Sequence, residues 1–156
     1  MSEPRSRSVP ASLRRRVAER AGDCCEYCCS QARYSTQSFS IEHILPRHKD
    51  GATTSSNLAL ACQGCNNHKF TKIEGHDPLN KAAAPLFNPR RQRWHDHFAW
   101  NHDCTLIVGL TPTGRATVEA LRLNREKVVN LRRVLYAMGE HPPLRYSPHR
   151  LKPRKP

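Results

Sequence analysis

The chain has 156 residues, enough for one domain with a short arm at each end. Only 37% of it is hydrophobic, so a core of this size gains from a covalent or metal staple. Its 26 Lys and Arg against 13 Asp and Glu give a formal charge of +13, which points to a polyanionic partner; no apolar run approaches the roughly 20 residues that span a bilayer, which excludes a membrane helix.

In chain order, residues 1–9 read as a disordered basic arm. Their start, MSEPRSRSVP, has charge and proline but no apolar stretch of the secretory kind, so the expected compartment is the cytoplasm, where thiols stay reduced. VPASLRRRVAERAG reads as a first helix with Pro10 near its start and Gly22 just past its end; Leu13 and Val17, four apart, form its apolar face. SFSIEHIL reads as a strand over 38–45 that ends at Pro46. A polar loop with a turn at Asp50-Gly51 follows, and Asn57 opens a short apolar piece, LALA, able to pair back on the strand. Asn66 to Thr71 begins a short helix. Residues 76–92 read as loop, and RWHDHFAW fits a strand or a short helix equally. TLIVGL and RATVEAL are expected as a hairpin around Thr111-Pro112-Thr113-Gly114. Asn124 is a good N-cap for a last helix through about Met138, stopped by Gly139, with Val128, Leu131 and Leu135 as its buried stripe. From 140 to 156 the chain reads as a Pro-rich basic tail.

The seven cysteines are clustered. Cys24, Cys25, Cys28 and Cys29 lie in DCCEYCCS, Cys62 and Cys65 in ACQGCN, and Cys104 alone, where it reads as a core residue. In a reducing compartment two C-x-x-C pairs fit one tetrahedral Zn²⁺ better than disulfides, because a two-residue gap turns both thiolates toward an ion about 2.3 Å away. The first cluster allows three pairings: Cys25 with Cys28, Cys24 with Cys28, and Cys25 with Cys29. The two-residue gap of Cys25 and Cys28 matches Cys62 and Cys65, so these four are taken as the zinc ligands, with Cys24 and Cys29 as small buried residues. The knuckles stand farther apart than the roughly 15–20 residues of a zinc ribbon, so the intervening segment is an insertion able to carry chemistry.

That insertion holds Ile41-Glu42-His43-Ile44-x-Pro46, Gly51 and Asn57-Leu58, and the second knuckle continues as Cys62-x-x-Cys65-Asn66-x-x-Lys69. Together with Cys25-x-x-Cys28 this run resembles the HNH nuclease family, over residues 25–69. The resemblance implies a small α+β fold, a ββα-metal core stapled by a structural zinc, with flanking helices and a C-terminal hairpin plus helix; the nuclease domain would occupy 10–139, its motif core 25–72. It implies metal-dependent hydrolysis of phosphodiester bonds, DNA rather than RNA being the expected polymer, with products bearing a 5′-phosphate. Under it Asn57 braces the loop and orients His43, and Asn66 is the third motif residue, a ligand of the catalytic ion together with Glu42.

The residue types suit that chemistry. A neutral imidazole at His43 accepts a proton from water, and Glu42 offers a hard oxygen suited to Mg²⁺ or Mn²⁺. Glu42 and His43 are adjacent, so a regular strand would turn them to opposite faces; convergence requires a bend before Pro46. His68 competes with Asn66 as third residue, but Asn66 and Lys69 share a helix face while His68 lies about 200° round. Lys69, Lys72, Arg90, Arg91 and Arg93 are the expected contacts to the phosphate backbone. The competing reading is a zinc-stabilised DNA- or RNA-binding module without catalysis.

Overall fold

The structure, a computed structural model, describes residues 8–148. The first helix, α1 (Ala11–Ala21), ends at Gly22, whose left-handed φ of 60° returns its N–H to Ala18 and Glu19. Its buried Val17 and Ala21 pack on Leu58 and Leu60. Arg20, on the same helix, is no mere surface charge. Its guanidinium donates to the Ser55 carbonyl at 2.9 Å, the Ser55 hydroxyl at 2.8 Å and the Leu58 carbonyl at 2.7 Å.

Strands β1 (Ser40–His43) and β2 (Leu58–Ala61) pair antiparallel, with Ile41 opposite Leu60, Glu42 opposite Ala59 and His43 opposite Leu58. β1 is shorter than the 38–45 expected, since Ile44 N–H turns to the Asn57 carbonyl and Pro46 closes the segment. Partners across an antiparallel pair share a face. Leu58 and Leu60 face α1, while Ala59 and Ala61 face the cysteine core. The pair is followed by α2 (Gln63–Lys69), which starts earlier than expected because the Cys62 sulfur accepts the Cys65 N–H and caps it. Strands β1 and β2 with α2 give the expected ββα unit.

The C-terminal half adds β3 (Glu74–His76) paired with β4 (Ala83–Pro85), the short helix α3 (Trp94–His97) running into β5 (Phe98–Trp100), then β6 (Ile107–Gly109), α4 (Pro112–Ala120) and α5 (Glu126–Ala137). RWHDHFAW is thus helix and strand in succession. The expected hairpin exists with a different partner: β6 pairs with β5, and PTGRATVEA is helical. Thr111 caps that helix by accepting the Gly114 N–H at 3.0 Å, and Pro112 occupies its first turn, where the missing N–H costs nothing. Gly114 also lets α4 cross the chain closely, since a Cβ there would meet the His97 carbonyl oxygen at 2.1 Å.

α5 begins one residue later than read. Asn124 is withdrawn from capping because its amide brackets Ile107, accepting its N–H and donating to its carbonyl at 2.8 Å each. Leu135 is buried as expected, but Leu131 is exposed and Arg132 takes the inner position. Buried Arg132 is sustained by carbonyls of Thr105 at 2.9 Å and Leu123 at 2.7 Å, with the Trp100 ring 5.2 Å away.

The arm and tail begin as packed structure. Val9 is buried, and Tyr146 is buried against Trp94 while its carbonyl accepts the Trp100 indole N–H at 2.9 Å. The outer parts of both expected segments, 1–7 and 149–156, lie outside the described residues. No described helix is long and apolar enough to cross a membrane.

Candidate active site and metal centre

Cys25, Cys28, Cys62 and Cys65 are brought together: all four are buried and their sulfurs lie within 4.8 Å of one another. Cys28 and Cys62 are 3.6 Å apart, close to the ~3.8 Å edge of a tetrahedron with zinc-thiolate bonds near 2.3 Å. The donor set therefore fits a zinc-type ion, and the cysteines form no disulfide among the described residues. Cys24 and Cys29 are buried beside the group without joining it, and burial pushes both thiols up, toward the uncharged form. Cys104 is buried, as expected.

Four thiolates on a dication leave two negative charges, and two arginines answer them. Arg125 donates to the Cys62 sulfur at 3.2 Å and the Cys65 sulfur at 3.7 Å. Burial disfavours its charge, yet the Cys65, Cys28 and Cys62 sulfurs outweigh that and hold its pKa above the ordinary value. Arg132 reaches the Cys28 carbonyl at 3.4 Å. Gly64 makes room for the first contact, because a Cβ there would meet the Arg125 guanidinium at 2.4 Å. Nothing in the sequence points to Arg125, which stands 60 positions from Cys65. Replacing it with Ala should speed metal transfer to a chromophoric chelator by about 10–100-fold, the usual range for a lost partner behind a ligand. Transfer at the wild-type rate would remove Arg125 from that role.

His43 sits at the end of β1 on the face turned to α1, half-buried, with Nε2 2.9 Å from the Thr53 hydroxyl. Arg47 donates to the same hydroxyl at 3.3 Å. Burial, then Arg47 and Lys69, hold the His43 pKa below its ordinary value, so the ring is neutral near pH 7. Asn57 locks the loop after it. Its Oδ1 accepts the Leu45 N–H at 2.9 Å, and its Nδ2 donates to the carbonyls of Leu45 at 3.0 Å and Ala52 at 2.9 Å.

Glu42 is not brought to His43. β1 stays regular through the pair, so Glu42 points to the opposite face, into the cysteine side of the molecule, and is only 4% exposed. One carboxylate oxygen accepts the Tyr27 hydroxyl at 2.6 Å and the other pairs with the Lys69 ammonium. Burial raises its pKa, with Lys69 and Tyr27 pulling back. One Glu42 oxygen is thus hydrogen-bonded and the other is ion-paired with Lys69 without a further hydrogen bond. Asn66 lies on the α2 face turned to β1, between Gln63, which reaches Ser40, and Lys69. His68 is on the other side, near Arg125 and Arg122.

The basic residues divide. Lys69 is buried, not a phosphate contact: besides Glu42 it donates to the Ile44 carbonyl at 3.0 Å. Arg90 is tied to Glu26, whose other oxygen accepts the Leu60 N–H at 2.9 Å. Lys72, Arg91 and Arg93 are exposed.

No curated protein and no solved structure matches the chain. The family model for HNH endonuclease does, over residues 25–72. That stretch, under a third of the chain, runs from Cys25 through β1, the Asn57-braced loop and α2, and over it the chain is similar to the HNH endonuclease family.

Proposed function

We propose that the protein is a zinc-stapled endonuclease that hydrolyses phosphodiester bonds, in DNA, with His43 as general base. The observation that supports this best is the setting of His43: its Nε2 lies 2.9 Å from the Thr53 hydroxyl and its lowered pKa keeps the ring neutral at neutral pH, and in the tautomer that donates Nε2–H to Thr53 the lone pair is on Nδ1. Nδ1 takes a proton from water as the water oxygen bonds to phosphorus; the bond to the 3′-oxygen breaks, and that oxygen is protonated from solvent. Arg47, beside the same hydroxyl, is placed to offset charge on the phosphate. A Mg²⁺ or Mn²⁺ ion, implied by the family, would add positive charge there, but Glu42 is held by Lys69 and Tyr27, and no step is routed through such an ion. Zinc in the thiolate site serves as staple, consistent with a reducing compartment such as the cytoplasm. Exposed Lys72, Arg91 and Arg93 hold the backbone without reading sequence.

The test is plasmid nicking with and without added Mg²⁺ or Mn²⁺. His43→Ala should cut about 10²–10⁴-fold more slowly, the usual worth of a general base. In the wild type, protonation of His43 removes the base. The rate should therefore hold down to the ordinary histidine value of about 6.5 and fall only as pH drops further, through the lowered pKa. An unimpaired variant, or a rate already falling above that value, would remove His43 from the role. The ion-paired Glu42 carboxylate favours a second reading, a binding module without catalysis. Salt-sensitive binding with no cutting under any condition would establish that reading.

A further inference from the structure

We infer that a cavity along the loop that follows His43 receives one unstacked nucleotide of the bound strand, its ring on the apolar wall and its phosphate toward the arginines. The inference rests on the reading that the polymer is nucleic acid, and extends it to the form of the substrate. The cavity, of about 670 Å³, opens between the loop 44–57 and the segment 85–92, and is of a size that takes small organic ligands. Leu45 and Asn57 belong to its lining, so it adjoins the loop that follows His43.

Three features specify the occupant. Ile73, Leu86 and Phe87 give an apolar wall suited to a flat ring. The charged residues of the lining are Lys69, Arg90 and Arg91, all cationic. Lys69 and Arg90 are held from behind by Glu42 and Glu26, yet Arg90 Nε and Nη1 have no hydrogen-bond partner, and exposed Arg91 makes no ion pair among the described residues. Finally, Asn88 and Gln92 line the cavity with their amides fixed in orientation. Asn88 Oδ1 accepts the Arg90 N–H and Gln92 Oε1 the Asn88 N–H, each at 2.9 Å, which leaves both NH₂ groups as donors for a polar ring edge. An anion carrying a flat ring with acceptors on its edge is a nucleotide. In a duplex that ring is stacked and paired, and extracting it costs a few kcal/mol. A single strand, or a strand with a loose base, is therefore the preferred form.

The test uses the full-length, zinc-loaded protein and fluorescence anisotropy with two labelled strands of twelve units, an oligothymidine and its abasic counterpart with the same phosphates. The wild type should bind the abasic strand about ten-fold more weakly, the low end of what base stacking is worth. Ile73→Trp and Ala52→Trp fill the cavity from partly exposed positions on its wall; both should bind the two strands alike, with zinc content and melting as in the wild type. Arg91→Ala should weaken both strands. Thymidine 5′-monophosphate is the second arm: if it binds more tightly than oligothymidine, the ligand is a free nucleotide and the strand inference is overturned. Equal binding of both strands by the wild type, or a filled cavity that still discriminates, also overturns it, as does failure to bind any strand. The two readings fail separately: His43→Ala should keep this binding pattern whatever it does to cutting, and a lost strand preference leaves nicking by His43 untouched.

Discussion

Removing the metal from the four-cysteine site should unfold the protein. The six cysteines of the two knuckle segments lie in the main core with Tyr27, Leu121 and Leu123, so the thiolates are structural members of that core. Without an ion, four buried sulfurs within 4.8 Å either carry mutually repelling charges or bind protons, and neither state holds the two segments together. Apparent folding contributions of structural zinc are on the order of 10 kcal/mol, comparable to the whole stability of a small domain at roughly 5–15 kcal/mol. A strong chelator should abolish the near-UV circular dichroism and the cooperative melt, with both restored by Zn²⁺. Cys62→Ser should fail to retain the metal, whereas Cys24→Ser and Cys29→Ser should keep one ion per chain by metal analysis. A chelated protein that still melts cooperatively at the original temperature would refute the staple.

Lys69→Met should be the most damaging single substitution outside the cysteines. It removes the ammonium from a pair in which both side chains are almost wholly buried, and strips the Ile44 carbonyl of its donor. Breaking a buried pair from one side costs about 3–5 kcal/mol, far more than the loss of an exposed ion pair. The deficit should depend on pH in a definite direction. Burial already raises the Glu42 pKa, and without Lys69 it rises further; a carboxyl with a raised folded-state pKa is most compatible with the fold below its unfolded value, and that compatibility is lost as pH climbs through the folded one. Urea melts should therefore show a larger deficit at pH 8 than at pH 5. A deficit below about 1 kcal/mol would mean that the pair is solvated in solution.

What the sequence made legible is local. Gly22 after an apolar stripe ends α1, the matched C-x-x-C gaps name the four sulfurs that meet, and the run from Ile41 to Lys69 locates the strand pair and short helix. The misread elements depend on partners far along the chain. Thr111-Pro112-Thr113-Gly114 carries turn residues and helix-start residues at once, and the close crossing of Gly114 over His97 decides for helix. Arg132 displaces Leu131 from the inner face of α5 because the Thr105 and Leu123 carbonyls await it, and no periodicity of apolar residues encodes that. For the candidate site, motif order singled out His43 and Asn57, which lie at the end of β1 and in the loop after it, but the facing of Glu42 followed from strand alternation, a physical rule that outweighed the expected bend.

The packing of the C-terminal half around the cysteines sets the smallest piece able to stand alone. Trp94, Leu121 and Leu123 close the core that the knuckles open, Trp94 donates its indole N–H to the Tyr27 carbonyl at 3.1 Å, and Arg125 and Arg132 bring α5 onto the same site. The stretch 25–72 thus shares its core with residues far outside it. Excised, it would present to water the apolar side of its metal site and two uncompensated charges, so substitutions as distant as α5 bear on the same centre as those in the motif itself.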